Sequence, residues 1–238
     1  ASAANQPEAG APDAPWSGPL LTNLATCHAA RGEFAAAWPL YERAWELSGR
    51  SPLVLLERAE ARHRSGASDR AAADLQAAVY SVLSESHLPI PSIGIPLAWT
   101  LLTFPDPALR DAPSARRILV ALSMREDWAS DATLQTLLAY AEVLCGEPQQ
   151  AVERLALHAQ PDAPCPFHAA VRAAAARALG LPDEAAVWLR QAEDGARCLP
   201  YPDPRLERLL EQVRETSAGG RQPQSTTGIA TARQARSP

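Results

Sequence analysis

The chain has 238 residues, of which 27 are acidic and 22 basic, for a formal charge of -5. That balance argues against a general nucleic-acid binder, which needs a basic face to displace counterions, and no apolar run approaches the length that spans a bilayer. Hydrophobic residues make up 47% of the chain but aromatics only 5%, and the excess of alanine favours thin helices packed closely on one another. All the basic residues are arginine, which reads as a bias of coding composition. No stretch sustains an alternation of β-branched and polar residues, so the expected fold class is all-α.

In chain order, residues 1–17 are rich in Ala, Pro and small polar residues and are expected to be disordered. With no initiating Met and no charged segment leading into an apolar one, this stretch suits a processed N-terminus or an interdomain linker. Trp16 is expected to dock on the first helix pair. A first unit spans about 18–51, with Leu24-Ala25, Gly32, Phe34, Ala37, Tyr41 and Ala44 in sequence. A second, about 52–85, repeats the pattern with Arg58-Ala59, Gly66, Ala71, Leu75 and Ala78. Gly32 to Gly66 is 34 residues, as are Ala25 to Ala59, Ala37 to Ala71 and Ala44 to Ala78. The spacing has a direct cause. The first helix of each unit, helix A, needs a small residue where the second, helix B, crosses it, and helix B needs small residues toward both neighbours. The glycine ends helix A with a positive φ that other residues adopt only at a cost. Ser51-Pro52 is expected to supply an N-cap and an N1 proline.

The template returns as Leu138-Ala139, Gly146, Ala151 and Leu155 (about 132–165), then as Ala173, Gly180, Ala185, Leu189 and Ala192 (about 166–199). Gly146 to Gly180 is again 34 residues, and Pro148 and Pro182 open the two B helices in register. Asp183-Glu184 place acidic charge where the helix dipole favours it. Between the two regular pairs, Gly66 to Gly146 is 80 residues, two periods plus 12. With Leu97-Ala98 at the Leu24-Ala25 position, the stretch 97–122 becomes a third unit, about 91–129, whose turn is enlarged. That turn, Phe104-Pro105-Asp106-Pro107, has an echo in Tyr201-Pro202-Asp203-Pro204, and in each the aspartate suits an N-cap with proline at N1. The second copy opens a capping helix, about 204–216, with Leu206, Leu209, Leu210 and Val213 on one stripe. Residues 217–238 are polar and expected to be disordered.

A 34-residue period with a turn glycine and registered small residues resembles the tetratricopeptide-repeat family over about residues 18–199. Ala98-Trp99, Leu101-Leu102, Thr103, Pro105-Asp106-Pro107, Arg110-Asp111 and Ala115 further resemble a variant repeat found in bacterial multidomain proteins. The resemblance implies an alpha-alpha superhelix: a solenoid of five hairpins and a cap, binding an extended peptide or a partner's helix in the groove lined by A helices. Carried over by offset, the groove positions are Thr22, Thr26, Glu60, His63, Trp99, Tyr140 and Arg177. The family's chaperone-tail clamp is not expected, because Thr26 stands where its asparagine belongs and lysine is absent.

Chemistry-bearing residues give no competing motif. His28, His63, His87, His158 and His168 form no tight ligand pair, so no metal is expected. His158 replaces a small residue of helix B and reads as a core histidine bonded to backbone; His63 reads as a solvated neighbour of Glu60. Trp99 is either a groove anchor or an inter-repeat packing residue, with packing preferred. Asp106 and Asp111 read as caps rather than as acid/base carboxylates. Cys27 and Cys145 are expected to be buried thiols within A helices. Cys165 and Cys198 flank the open end of the fifth hairpin, where a disulfide is geometrically allowed but free thiols are preferred.

No phosphate loop, dinucleotide fingerprint or nucleophile elbow is present, so no cofactor and no catalytic residue are expected. The leading reading is a non-enzymatic scaffold for protein–protein interaction. The alternatives are an accessory region of a larger bacterial enzyme, a kinase or hydrolase with its catalytic domain outside this chain, and an RNA-binding helical repeat. The last is disfavoured by the acidic body and the 34-residue register. The cytoplasm is the favoured compartment, with export the alternative if a signal peptide once preceded the chain.

Overall fold

A computed structural model describes residues 17–84, 90–158 and 165–218, which form eleven α-helices and one short 3-10 turn, with no strand among the described residues. The helices are α1 (Ser17–Ala30), α2 (Phe34–Leu47), α3 (Pro52–Arg64), α4 (Ser68–Ser84), α5 (Pro91–Thr103), α6 (Ala112–Ser123), α7 (Ala132–Leu144), α8 (Pro148–Leu157), α9 (Pro166–Ala178), α10 (Pro182–Arg197) and α11 (Pro204–Ala218). Each odd helix from α1 to α9 packs against the even helix that follows it, and each also packs against the next odd helix. The odd helices therefore form a continuous row. The all-helical expectation is met.

The turns follow the sequence signals closely. Gly32, Gly66, Gly146 and Gly180 all have positive φ, between 75° and 84°. At each, a Cβ would meet nothing, so backbone conformation, and not space, selects glycine there. Ala25, Ala37, Ala44, Ala59, Ala71, Ala78, Ala151, Ala185 and Ala192 are buried at the helix crossings. Pro52, Pro148, Pro166 and Pro182 open their helices, where a missing N–H costs nothing. Ser51 corrects one expectation: it occupies the N-cap of α3 but its side chain makes no cap bond, and its amide instead donates to Ser48 Oγ.

The stretch 97–122 lies in the core. Leu97, Ala98, Leu101, Leu102, Phe104, Ala115, Ile118, Leu119 and Leu122 are buried in one cluster that extends from Leu55 to Val213. A smaller cluster surrounds Tyr41 between α1 and α2. Three side-chain bonds help hold the enlarged turn: Asp106 Oδ1 accepts from Ala108 N, Asp111 Oδ1 accepts from Ser114 N, and Arg110 Nε donates to Phe104 O. Its echo is capped likewise, Asp203 Oδ1 accepting from Arg205 N, but its aromatic differs. Phe104 is fully buried and Tyr201 exposed.

Two further expectations change, the burial of Cys27 and Cys145 and the ends of the terminal segments. Cys27 is exposed, and Cys145 is half-buried at the C-cap of α7, because each lies on a helix side that no neighbour covers completely. Ser17 and residues 217–218, placed in disordered segments by composition, are helical at the outer ends of α1 and α11. Cys165 and Cys198 carry free, exposed thiols. Trp16, His87 and the terminal segments 1–16 and 219–238 lie outside the described residues.

Candidate functional site

The odd-helix row presents one face, and α11 lies against it. This helix packs on α9 and α10 but also reaches α5. Leu206, Leu209, Leu210 and Val213 are its buried stripe, as expected from their spacing. Two polar contacts flank that stripe. Arg208 forks onto Glu60 of α3, Nη1 donating to Oε1 at 3.0 Å and Nη2 to Oε2 at 3.2 Å. Tyr140 of α7 donates its hydroxyl proton to Gln212 Oε1. Burial pushes the Tyr140 phenol well above its ordinary pKa, so the hydroxyl stays a donor at any working pH.

Two cavities open on this face and share Trp99, Asp203 and Arg205 in their walls. The first, of about 480 Å³, is lined by Thr22, Asn23, Leu53, Glu57, Glu60 and Arg208, among others. Here Thr26 Oγ1 donates to Glu57 Oε2 and shares a further hydrogen bond with the Tyr41 hydroxyl. Burial, reinforced by the Glu60 charge, holds the Glu57 carboxyl above the usual range. The second, of about 500 Å³, has mainly apolar walls, including Ile95, Trp99, Leu137, Phe167, Val171 and Trp188. Trp99 meets Phe167 edge to face at 5.2 Å, and its buried indole N–H has no partner among the described residues. Arg172 stacks on Trp188, its guanidinium carbon 4.6 Å from the ring centroid.

The residues carried over by offset are thus distributed unevenly. Thr22, Glu60 and Trp99 line the cavities. Thr22 is nevertheless buried, its hydroxyl donating to Gly18 O. Thr26 is one hydrogen bond away from the lining residue Glu57. Tyr140 and Glu60 are already engaged by α11. His63 lies edge-on to Phe104, with its buried Nδ1 unpartnered among the described residues, and lines neither cavity. Arg177 is half-buried, its Nη1 likewise unpartnered among the described residues, and lines neither. Trp99 does what was expected of it as a packing residue and also forms a wall.

Glu57, Phe167, Arg172, Arg208 and Gln212 belong to this face but were not singled out from sequence. Arg208 and Gln212 were visible in principle, four residues apart beside the α11 stripe. Arg172 and Phe167 carry no local signal, since only the stacking of α9 on α7 brings them to the cavity. His158 is the C-cap residue of α8, half-buried at the rim of the second cavity.

Among the described residues no group of three or more His, Cys, Asp or Glu side chains is placed to hold a metal, and no helix is long and apolar enough to cross a membrane. Comparison with protein-family models, with curated proteins and with solved structures finds no match in any of the three.

Proposed function

We propose that this chain is a non-enzymatic interaction scaffold, a solenoid of five hairpins of the tetratricopeptide type, which binds a peptide or partner helix on its odd-helix face. The observation that carries this reading is α11 itself. An amphipathic helix is already seated on that face, by an apolar stripe between a forked Arg208–Glu60 pair and the Tyr140–Gln212 bond. That is how a helix-in-groove partner is recognised. The polar cavity bounded by Thr22, Asn23 and Glu57 extends the face beyond α11.

The test is a displayed-peptide selection against the full chain, followed by fluorescence anisotropy of the selected peptides. Asn23→Arg with Leu53→Glu, both at the cavity, should weaken them at least about tenfold, since each places a charge against the docked chain. Tyr80→Arg, on the exposed side of α4, should leave them unchanged. Peptides that ignore the first variant and fail with the second would place binding elsewhere.

A further inference from the structure

We infer that the apolar cavity bounded by α5, α7, α9 and α11 is a binding site for a small carboxylate with an apolar body. Its volume of about 500 Å³ falls within the roughly 300–1,000 Å³ of small-molecule sites. Its aromatic and aliphatic walls, Trp99, Phe167, Trp188, Ile95, Leu137 and Val171, suit a hydrocarbon chain or ring.

The polar groups around those walls favour a negative charge. Ala132 and Thr133 begin α7, Phe167 and His168 lie in the first turn of α9, and Arg205 lies in the first turn of α11; all five line the cavity. Three helices therefore point their positive ends toward one space. The ends of α7 and α11 are capped by Asp131 and Asp203. The N-cap of α9 is Cys165, which makes no side-chain cap bond, and Pro166 has no N–H, so the first donors of that turn are the Phe167 and His168 amides. Arg172 adds a guanidinium that stacks on Trp188 and makes no ion pair among the described residues. Arg205 adds a second cation, whose field reaches Glu57 of the neighbouring cavity.

The remaining titratable groups do not reverse this sign. Among the described residues Asp203 is the only carboxylate in the lining, and it is occupied by the first amides of α11, while Glu184 beside the wall accepts from the Trp188 indole N–H. His158 stands at the rim. His168 has its pKa lowered by burial and then by Arg172, which favours the neutral ring. A neutral apolar guest would fill the walls without engaging Arg172 or the first amides of α9; a carboxylate can pair with both. This cavity opens on the same face as the one assigned to the peptide and shares Trp99, Asp203 and Arg205 with it, but Phe167 and Arg172 line this cavity and not the other, so an Arg172 variant tests the small-ligand reading apart from the peptide reading.

The experiment is isothermal titration calorimetry of the full chain with decanoate and with decanol, which share a chain and differ in charge. Decanoate should bind at least about tenfold more tightly than decanol. Arg172→Gln should weaken decanoate about tenfold and leave decanol unchanged, while Arg172→Lys keeps most of the preference. Thr133→Trp, at an exposed position of the lining, should weaken both ligands by filling the mouth without touching the core. Equal affinity for acid and alcohol, no binding of either, or decanoate binding that survives both Arg172→Gln and Thr133→Trp would overturn the assignment.

Discussion

The hairpins α3/α4 and α7/α8 follow one backbone template with the charges exchanged. In the first, Arg62, four residues before Gly66, pairs with Asp74, eight residues after it. In the second, Glu142, four before Gly146, pairs with Arg154, eight after it. The acid is the more deeply buried member in both, with side-chain exposures of 5% for Asp74 and 2% for Glu142. At the same offsets the fifth hairpin has Ala176 and Trp188, so the fold does not demand charge there. Helix–turn–helix geometry brings these two positions together; the sequence is free to fill them with either polarity or none. The supporting bonds also differ. Asp74 is shared with Arg58, which reaches on to Glu42 of the preceding hairpin, whereas among the described residues Glu142 is paired by Arg154, which also donates to Gln135.

The most damaging way to break the template leaves charge out of it. Ala71→Arg and Ala185→Arg push a guanidinium into fully packed crossings and should each cost at least about 4 kcal/mol, or abolish folding, as read by thermal melts. A mutant that melts like the parent would show the register to be wrong. Next, Glu142→Arg sets two cations face to face in a buried site and should cost about 3–5 kcal/mol in urea unfolding. Adding Arg154→Glu should recover most of the loss, since the two hairpins show that either polarity fits. Arg62→Ala should cost less, about 1–2 kcal/mol, because Arg58 still forks onto Asp74. If the Arg62 and Glu142 changes cost the same, the sharing of Asp74 carries no weight.

The smallest expected effect belongs to Glu57. Its native carboxyl pKa is raised above the unfolded value of 4.5, by burial first and then by Glu60. The native state therefore binds the proton more tightly than the unfolded chain, and stability falls as pH rises from 4.5 through the raised native value. Glu57→Gln should remove that fall, flattening the pH dependence of the melting temperature above 4.5 while leaving it unchanged below.

Much of this architecture was legible in the sequence because its signals are local. A glycine of positive φ, a proline at N1 and an alanine at a crossing each act within one turn of helix, so Gly32, Pro148 and Ala71 announce themselves by spacing alone. Asp106, Asp111 and Asp203 were legible as caps for the same reason. The face was less legible. Of the seven groove positions expected by offset, Thr22, Glu60 and Trp99 line the cavities and the other four do not, and nothing local shows that Arg208 would take Glu60 or that Gln212 would take Tyr140. Those contacts join positions 148 and 72 residues apart and depend on where the stack carries α11. The exposure of Cys27 was missed similarly: a residue type that favours burial lay on a side with no neighbour.

Hydrogen–deuterium exchange of the full chain, with and without a selected peptide, shows whether the odd-helix face receives the partner. Added protection is expected in α1, α3 and α5, around the Thr22–Glu57 cavity, with α2 and α4 unchanged. Protection confined to the even helices would contradict it.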